Sequence, residues 1–200
     1  SLSAAYRFFA FVPYFLFRSE MRVTQPLELY LLRNDEMTMD GFFTHVAWPA
    51  GGAPRAATFE EREKILEKEP IPAGAPWVCF FHQEKGYGFG SVRLRFDTRN
   101  AAEGPSPLYQ PHTKISDGQG GGKYWNRRLI HERNTAVPAG SRYLEENAYV
   151  VFRLRPGSVT EALGEFLEWE AKLRKPLEAE LVRSEPARKA AKAPKAPSRR

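Results

Sequence analysis

The sequence predicts a mostly β protein: an antiparallel β-sandwich with one surface helix, a C-terminal helix and a disordered basic tail. Three features carry that expectation. Apolar and polar residues alternate with period two through much of the first third and again over 91–97, which puts the two sets on opposite faces of a strand. Trp77 to Phe81 is a short unbroken apolar run, as in a strand buried on both faces. Thr58 to Glu61 and Ser158 to Glu161 have capping-box spacing, each opening a stretch of helix formers. A hydrophobic content of 42% with 13% aromatic residues is globular, and residues 1–182 suit a single core.

Along the chain, Tyr6 to Phe11 is the first expected strand, ended by Pro13. Phe15, Phe17, Met21 and Val23 share one face of the second, with Arg18, Glu20, Arg22 and Thr24 on the other. Pro26 separates it from a third strand at Leu27 to Leu32, and the short connections imply an antiparallel meander. Thr44 to Trp48 is a short strand, ended by Pro49 and the flexible stretch Ala50 to Pro54. The helix from Thr58 to Glu69 is heavily charged, with Phe59, Ile65 and Leu66 as its main apolar residues, and forms a surface excursion. After Trp77 to Phe81, the segment Ser91 to Asp97 places Val92, Leu94 and Phe96 inward and Arg93 and Arg95 outward. Ala101 to Lys123 is a long loop rich in Pro and Gly. Tyr124 to Ile130 and Ala148 to Arg155 are the last strands, the latter with Val150, Phe152 and Leu154 on one side. The final helix carries a stripe of Leu163, Phe166, Leu167, Leu173 and Leu177, kinked at Pro176.

The net charge of +6 belongs to the end of the chain. Residues 183–200 hold seven Lys or Arg and one acid, leaving 23 bases against 23 acids in residues 1–182. A balanced body argues against a nucleic-acid face on the domain, and the tail, lacking large apolar residues, is expected to be disordered and free to contact an acidic partner. No run approaches the roughly 18 apolar residues of a membrane span, so a soluble protein is expected. One cysteine, Cys79, excludes an intrachain disulfide and a cysteine zinc cluster without setting the compartment, so export stays open. Within its apolar strand Cys79 is expected to be an inert core thiol.

Two loops hold most of the unlike functional groups. The first is His82-Gln83-Glu84-Lys85-Gly86-Tyr87-Gly88, and the second is Ala101 to Lys123 leading into Tyr124-Trp125-Asn126-Arg127-Arg128. If they converge, His82 or His112 exchanges a proton with Tyr124 assisting, and Arg127 or Arg128 holds a substrate carboxylate through its planar fork. Trp125 and Tyr87 stack on a sugar ring in that arrangement, with Glu84, Lys85 and Lys114 as further substrate-binding candidates. Alternatively, Tyr124 to Ile130 is an ordinary strand with its arginines in water. His45, His82, His112 and His131, with Glu84, Asp117 or Glu132, could gather on a metal, but no pair has local ligand spacing and no metal ligand or cofactor is assigned. Gly118 to Lys123 lacks the Ser or Thr that ends a phosphate loop and precedes a strand, which excludes nucleotide binding there.

The opening run Tyr6-Arg7-Phe8-Phe9-Ala10-Phe11-Val12-Pro13-Tyr14-Phe15-Leu16-Phe17-Arg18-Ser19-Glu20-Met21 resembles a strand pair of the galactose-mutarotase-like β-supersandwich domains of carbohydrate-active enzymes. The resemblance extends to the pattern of Trp77 to Asp97. It implies a relative of polysaccharide lyases, glycoside hydrolase accessory domains or sugar epimerases, with a ligand on the concave face of a sheet. Such domains are usually longer, and no catalytic residue carries over by position. The expected function is therefore carbohydrate binding or processing, lyase-like or epimerase-like on a sugar acid. The alternatives are a non-catalytic interaction domain with a basic tail, and a His-ligated metal enzyme acting on a small oxygenated substrate.

Overall fold

The computed structural model describes residues 1–175. The strands are β1 (Leu2–Phe8), β2 (Tyr14–Arg22), β3 (Leu27–Leu29), β4 (Leu32–Met39), β5 (His45–Ala50), β6 (Ala53–Thr58), β7 (Ile71–Pro72), β8 (Trp77–His82), β9 (Tyr87–Asp97), β10 (His112–Asp117), β11 (Lys123–Ile130), β12 (Thr135–Val137) and β13 (Arg142–Arg153). Helix α1 (Arg62–Lys68) follows β6, and α2 (Val159–Ala162) leads into α3, residues 164–175. A seven-stranded sheet runs β1-β2-β13-β9-β8-β5-β6, a four-stranded sheet runs β4-β11-β10-β7, and β12 pairs with β3. The expected antiparallel sandwich with a C-terminal helix is the observed fold. The expected tail at 183–200, Pro176 and Leu177 lie outside the described residues.

Three layers result because the large sheet is apolar on both faces. Val78, Phe80 and Tyr149 face the small sheet, where they meet Ile115 and Trp125. Trp77, Cys79, Phe81, Val150 and Phe152 face the other way and are covered by Leu163 and Phe166, with Leu167 and Leu173 beside them. The unbroken run in β8 thus serves both cores, and the helical stripe closes the second. Ser158 caps α2 with a reciprocal bond to Glu161, as the sequence predicts. The Thr58 box also forms, but it closes the turn ahead of α1, which begins at Arg62.

Several expected elements differ. The first three strands are not a meander: β1 and β2 form a hairpin, β2 then pairs with β13, and the expected Leu27–Leu32 strand divides between β3 and β4 in other sheets. Ala50 to Pro54 is the tip of a β5–β6 hairpin, with Gly51 at φ +58° and Gly52 at φ +87°, the left-handed conformations that a two-residue hairpin turn demands. The long loop at 101–123 contains β10, whose alternation is hidden by the single apolar residue Ile115. In β9 a bulge opposite Glu146 and Asn147 exchanges the faces beyond it: Val92 and Leu94 lie under α3, whereas Phe96 packs with Val23, Leu129 and Tyr143, and Arg93, expected outward, turns toward the small sheet and donates to the Ala73 and Gly74 carbonyls.

The side chains of the core beneath the helices sit so close to β9 that two glycines are required. A Cβ on Gly88 would lie 2.1 Å from the Phe152 ring, and one on Gly90 would lie 2.5 Å from Phe166 and 2.7 Å from Cys79. Gly90→Ala is expected to lose about 1–3 kcal/mol through overpacking, and Phe152→Ala about 3–5 kcal/mol. Phe17 is only half buried, so Phe17→Ala should cost less than Phe152→Ala, and Arg18→Ala under about 1 kcal/mol. Urea melts check the series; a Gly90→Ala variant as stable as the wild type would contradict this packing.

Candidate functional site

The site begins with an irregularity in β4. Met37 lies opposite Trp125 and Asn34 opposite Arg127, so Asp35 and Glu36 share the space of one residue on β11. Asp35 adopts φ +47°, a left-handed conformation uncommon outside glycine, which turns its carboxylate into the space between the sheets. Glu36 points outward and accepts a hydrogen bond from the Tyr124 hydroxyl at 2.9 Å.

Asp35 is the polar centre of the core. Its Oδ1 accepts from Tyr149 Oη at 2.8 Å and Trp125 Nε1 at 3.3 Å, and its Oδ2 from Ser91 Oγ and Arg127 Nε, both at 2.8 Å. These donors come from β9, β11 and β13, so one carboxylate joins both sheets. Arg127 is held further by the Ala73 carbonyl at 3.0 Å and the Ala75 carbonyl at 2.5 Å. Burial, and then the Asp35 charge, push the Tyr149 hydroxyl far above the usual phenol range.

Glu145 on β13 is the second buried acid. Its Oε1 accepts from the Asp35 backbone N–H and Ser19 Oγ, each at 3.1 Å, and its Oε2 from Asn147 Nδ2 at 3.3 Å. Burial first, and the neighbouring Asp35 charge second, push its carboxyl up to about 7. A carboxyl so placed exchanges its proton near neutral pH, the range that suits a general acid or base.

Both acids line a cleft of about 360 Å³ that opens where the small sheet ends at β4 and the β1–β2 hairpin continues past it. Its walls are mainly apolar, formed by Tyr6, Phe15, Phe17, Met21, Met37 and Tyr149. Tyr6 pairs across the strands with Phe17 at 4.8 Å between ring centroids, Phe8 pairs with Phe15 at 5.1 Å, and Phe15 continues to Tyr149 at 5.1 Å. The result is a continuous aromatic ledge leading down to two carboxyl groups.

The residues singled out from sequence do not gather in one pocket. His82, Glu84, Lys85 and Tyr87 occupy the β8–β9 turn, where the His82 ring packs on Phe42 at 4.7 Å and its Nδ1 accepts from the Lys85 backbone N–H. His112 and Arg128 do meet as register partners, with the His112 ring 4.7 Å from that of His131 and Arg128 donating to His131 and Glu132. Burial, followed by the Arg128 charge, lowers the His131 pKa from its ordinary value. Lys114 is exposed on the same strand as His112, and these two do line one groove, against α1. Tyr124 lies four positions from Arg128 along β11, bonded to Arg33 at 2.7 Å and to Glu36. Trp125 and Arg127 face inward at 0% and 2% exposure, so neither offers a surface to a sugar or a carboxylate. Strand parity explains the split: alternate residues of β11 point to opposite faces, and adjacent members of Tyr124-Trp125-Asn126-Arg127-Arg128 cannot share a site. Among the described residues, no group of three or more His, Cys, Asp or Glu is placed to hold a metal ion. Cys79 is fully buried, and burial raises its thiol pKa, as expected of an inert core cysteine.

Sequence reasoning missed Asp35, Glu145, Ser19 and Tyr149. Both acids lie outside the expected strands Leu27 to Leu32 and Ala148 to Arg155, and the available signal was a polar run bordered by apolar residues: Asn34-Asp35-Glu36 before Met37, and Glu145-Glu146-Asn147 between Leu144 and Ala148. No protein-family model matches the chain, and no curated protein matches it.

Removing Asp35 strands Arg127 in the core. Asp35→Ala is expected to cost about 3–5 kcal/mol in urea melts, and adding Arg127→Met should recover part of that loss. Glu145 acts in the opposite sense. Its folded-state pKa is raised above the unfolded one, so between roughly pH 4.5 and 7 the folded state holds the extra proton and stability falls as pH rises. Glu145→Gln removes that dependence: the variant should gain stability over the wild type as pH rises through 7, with the difference shrinking toward pH 4.5.

Proposed function

We propose that the chain is a carbohydrate-binding β-sandwich whose ligand is a neutral sugar ring, taken up in the cleft between the β1–β2 hairpin and β4. The observation that supports this is the combination of an aromatic ledge with a proton-exchanging carboxyl at its floor. A pyranose presents an apolar face to stack on Tyr6, Phe15 or Phe17 and hydroxyls that can both donate to and accept from a carboxyl. Glu145 is suited to that exchange because its lone pairs are not fully used by Ser19, Asn147 and the Asp35 N–H.

A neutral ligand fits better than the sugar acid expected from the sequence. Arg127, one of the two expected anchors for a substrate carboxylate, is ion-paired to Asp35, and the other, Arg128, is bonded to His131 and Glu132. Among the described residues, the one base in the cleft lining, Arg33, is paired with Glu36, and Asp35 is paired with Arg127, which leaves no free cation there for a ligand carboxylate.

Isothermal titration with methyl glycosides of the common hexoses and their short β-linked oligomers tests the proposal. At least one is expected to bind saturably, with Phe17→Ala and Tyr6→Ala each weakening it about tenfold or more, which is ~1.4 kcal/mol, while His82→Ala and His112→Ala leave it unchanged. Failure of every sugar to bind, or binding that survives both aromatic substitutions, would remove the cleft from consideration.

A further inference from the structure

Among the described residues, β1 ends the seven-stranded sheet and pairs on one side only, with β2. All of its residues are exposed, including Leu2 at 75%, Tyr6 at 62% and Phe8 at 72%. Edge strands of this length are usually blunted by lysine, proline, a bulge or a covering segment. β1 has none of these among the described residues, and its one charge is Arg7.

The direction of its free backbone groups follows from its first pair. Ser1 and Arg22 exchange both backbone hydrogen bonds, at 2.7 and 2.9 Å, and so form a hydrogen-bonded pair. Alternation from that pair aims the N–H and C=O groups of Ser3, Ala5 and Arg7 at β2 and turns those of Leu2, Ala4, Tyr6 and Phe8 outward.

We infer that β1 pairs antiparallel with β1 of a second copy of this chain, about a two-fold axis at Ala5, joining two seven-stranded sheets edge to edge. In that register Leu2 lies opposite Phe8, Ser3 opposite Arg7, Ala4 opposite Tyr6, and Ala5 opposite itself. The outward backbone groups of each strand then meet those of the other, and all of β1 is used. The side chains agree with the backbone. Arg7 faces Ser3, so like charges do not oppose, and the large Tyr6 ring lies beside the small Ala4. An isologous contact of this kind closes on itself. Leu2, Ala4 and Tyr6 also wall the sugar cleft, and the two-fold puts both clefts on the same side of the joined sheet. The pairing itself needs no ligand and stands or falls apart from the carbohydrate reading.

Sedimentation equilibrium over a broad micromolar range tests it with the chain as it is. The average mass is expected to rise from 22.8 kDa toward twice that value. Ala4→Pro deletes an outward N–H without touching the β2 ladder, so it should keep the wild-type melting temperature and weaken association about tenfold or more. Ala5→Cys sits on the axis, where facing Cα atoms of a non-hydrogen-bonded pair are about 4.5 Å apart, and should form a disulfide-linked dimer under mild oxidation, whereas Ala4→Cys should not. A wild-type chain that stays monomeric throughout, or an Ala4→Pro variant that associates as strongly as the wild type, would overturn the inference.

Discussion

The contact on which the rest of the structure depends is the buried carboxylate of Asp35. It accepts four hydrogen bonds from donors on β9, β11 and β13, linking the two sheets by a polar bond inside an otherwise apolar interface. Such a group is costly to bury unless every lone pair is used, and here the left-handed backbone at Asp35 aims both oxygens at donors. The arrangement has consequences on either side. Arg127 is neutralised within the core, and Glu145, left beside a negative neighbour in a desolvated place, holds its proton to much higher pH than a free glutamate.

A mismatch between the sheets supplies the second constraint. Four strands cannot cover seven, and the uncovered part of the large sheet is the β1–β2 hairpin. Its inner face is aromatic, so the ledge of Tyr6, Phe8, Phe15 and Phe17 and the open edge of β1 have a common origin. The buried acids lie where this ledge meets the edge of the small sheet. Cleft, carboxyl and free edge are therefore three products of one topology.

Much of the fold was legible because its signals are local. Alternation in β2 set the correct faces, the unbroken run in β8 marked a strand between two cores, and Ser158 to Glu161 marked the start of the final helices. Long-range pairing was not legible: nothing within Leu27 to Leu32 reveals that one part pairs with β12 and the next with β11. The bulges in β4 and β9 shift side chains from one face to the other, and a single-residue insertion leaves no mark on composition. The site was read from the density of polar residues in loops, whereas its acids sit inside strands. Asp35 and Glu145 lie 110 positions apart, and only the pairing of β13 with β2 and the packing of β4 above them brings the two together.

The central claim is that the Asp35 centre holds Glu145 in a desolvated, negatively charged setting at the floor of the cleft. Carboxyl carbon NMR of the side chain, followed against pH, measures it directly. The account predicts that Glu145 titrates well above the ordinary glutamate range, toward the value of about 7. A Glu145 midpoint near 4.5 would mean that water reaches the carboxyl freely, and the buried acid pair would not exist as described.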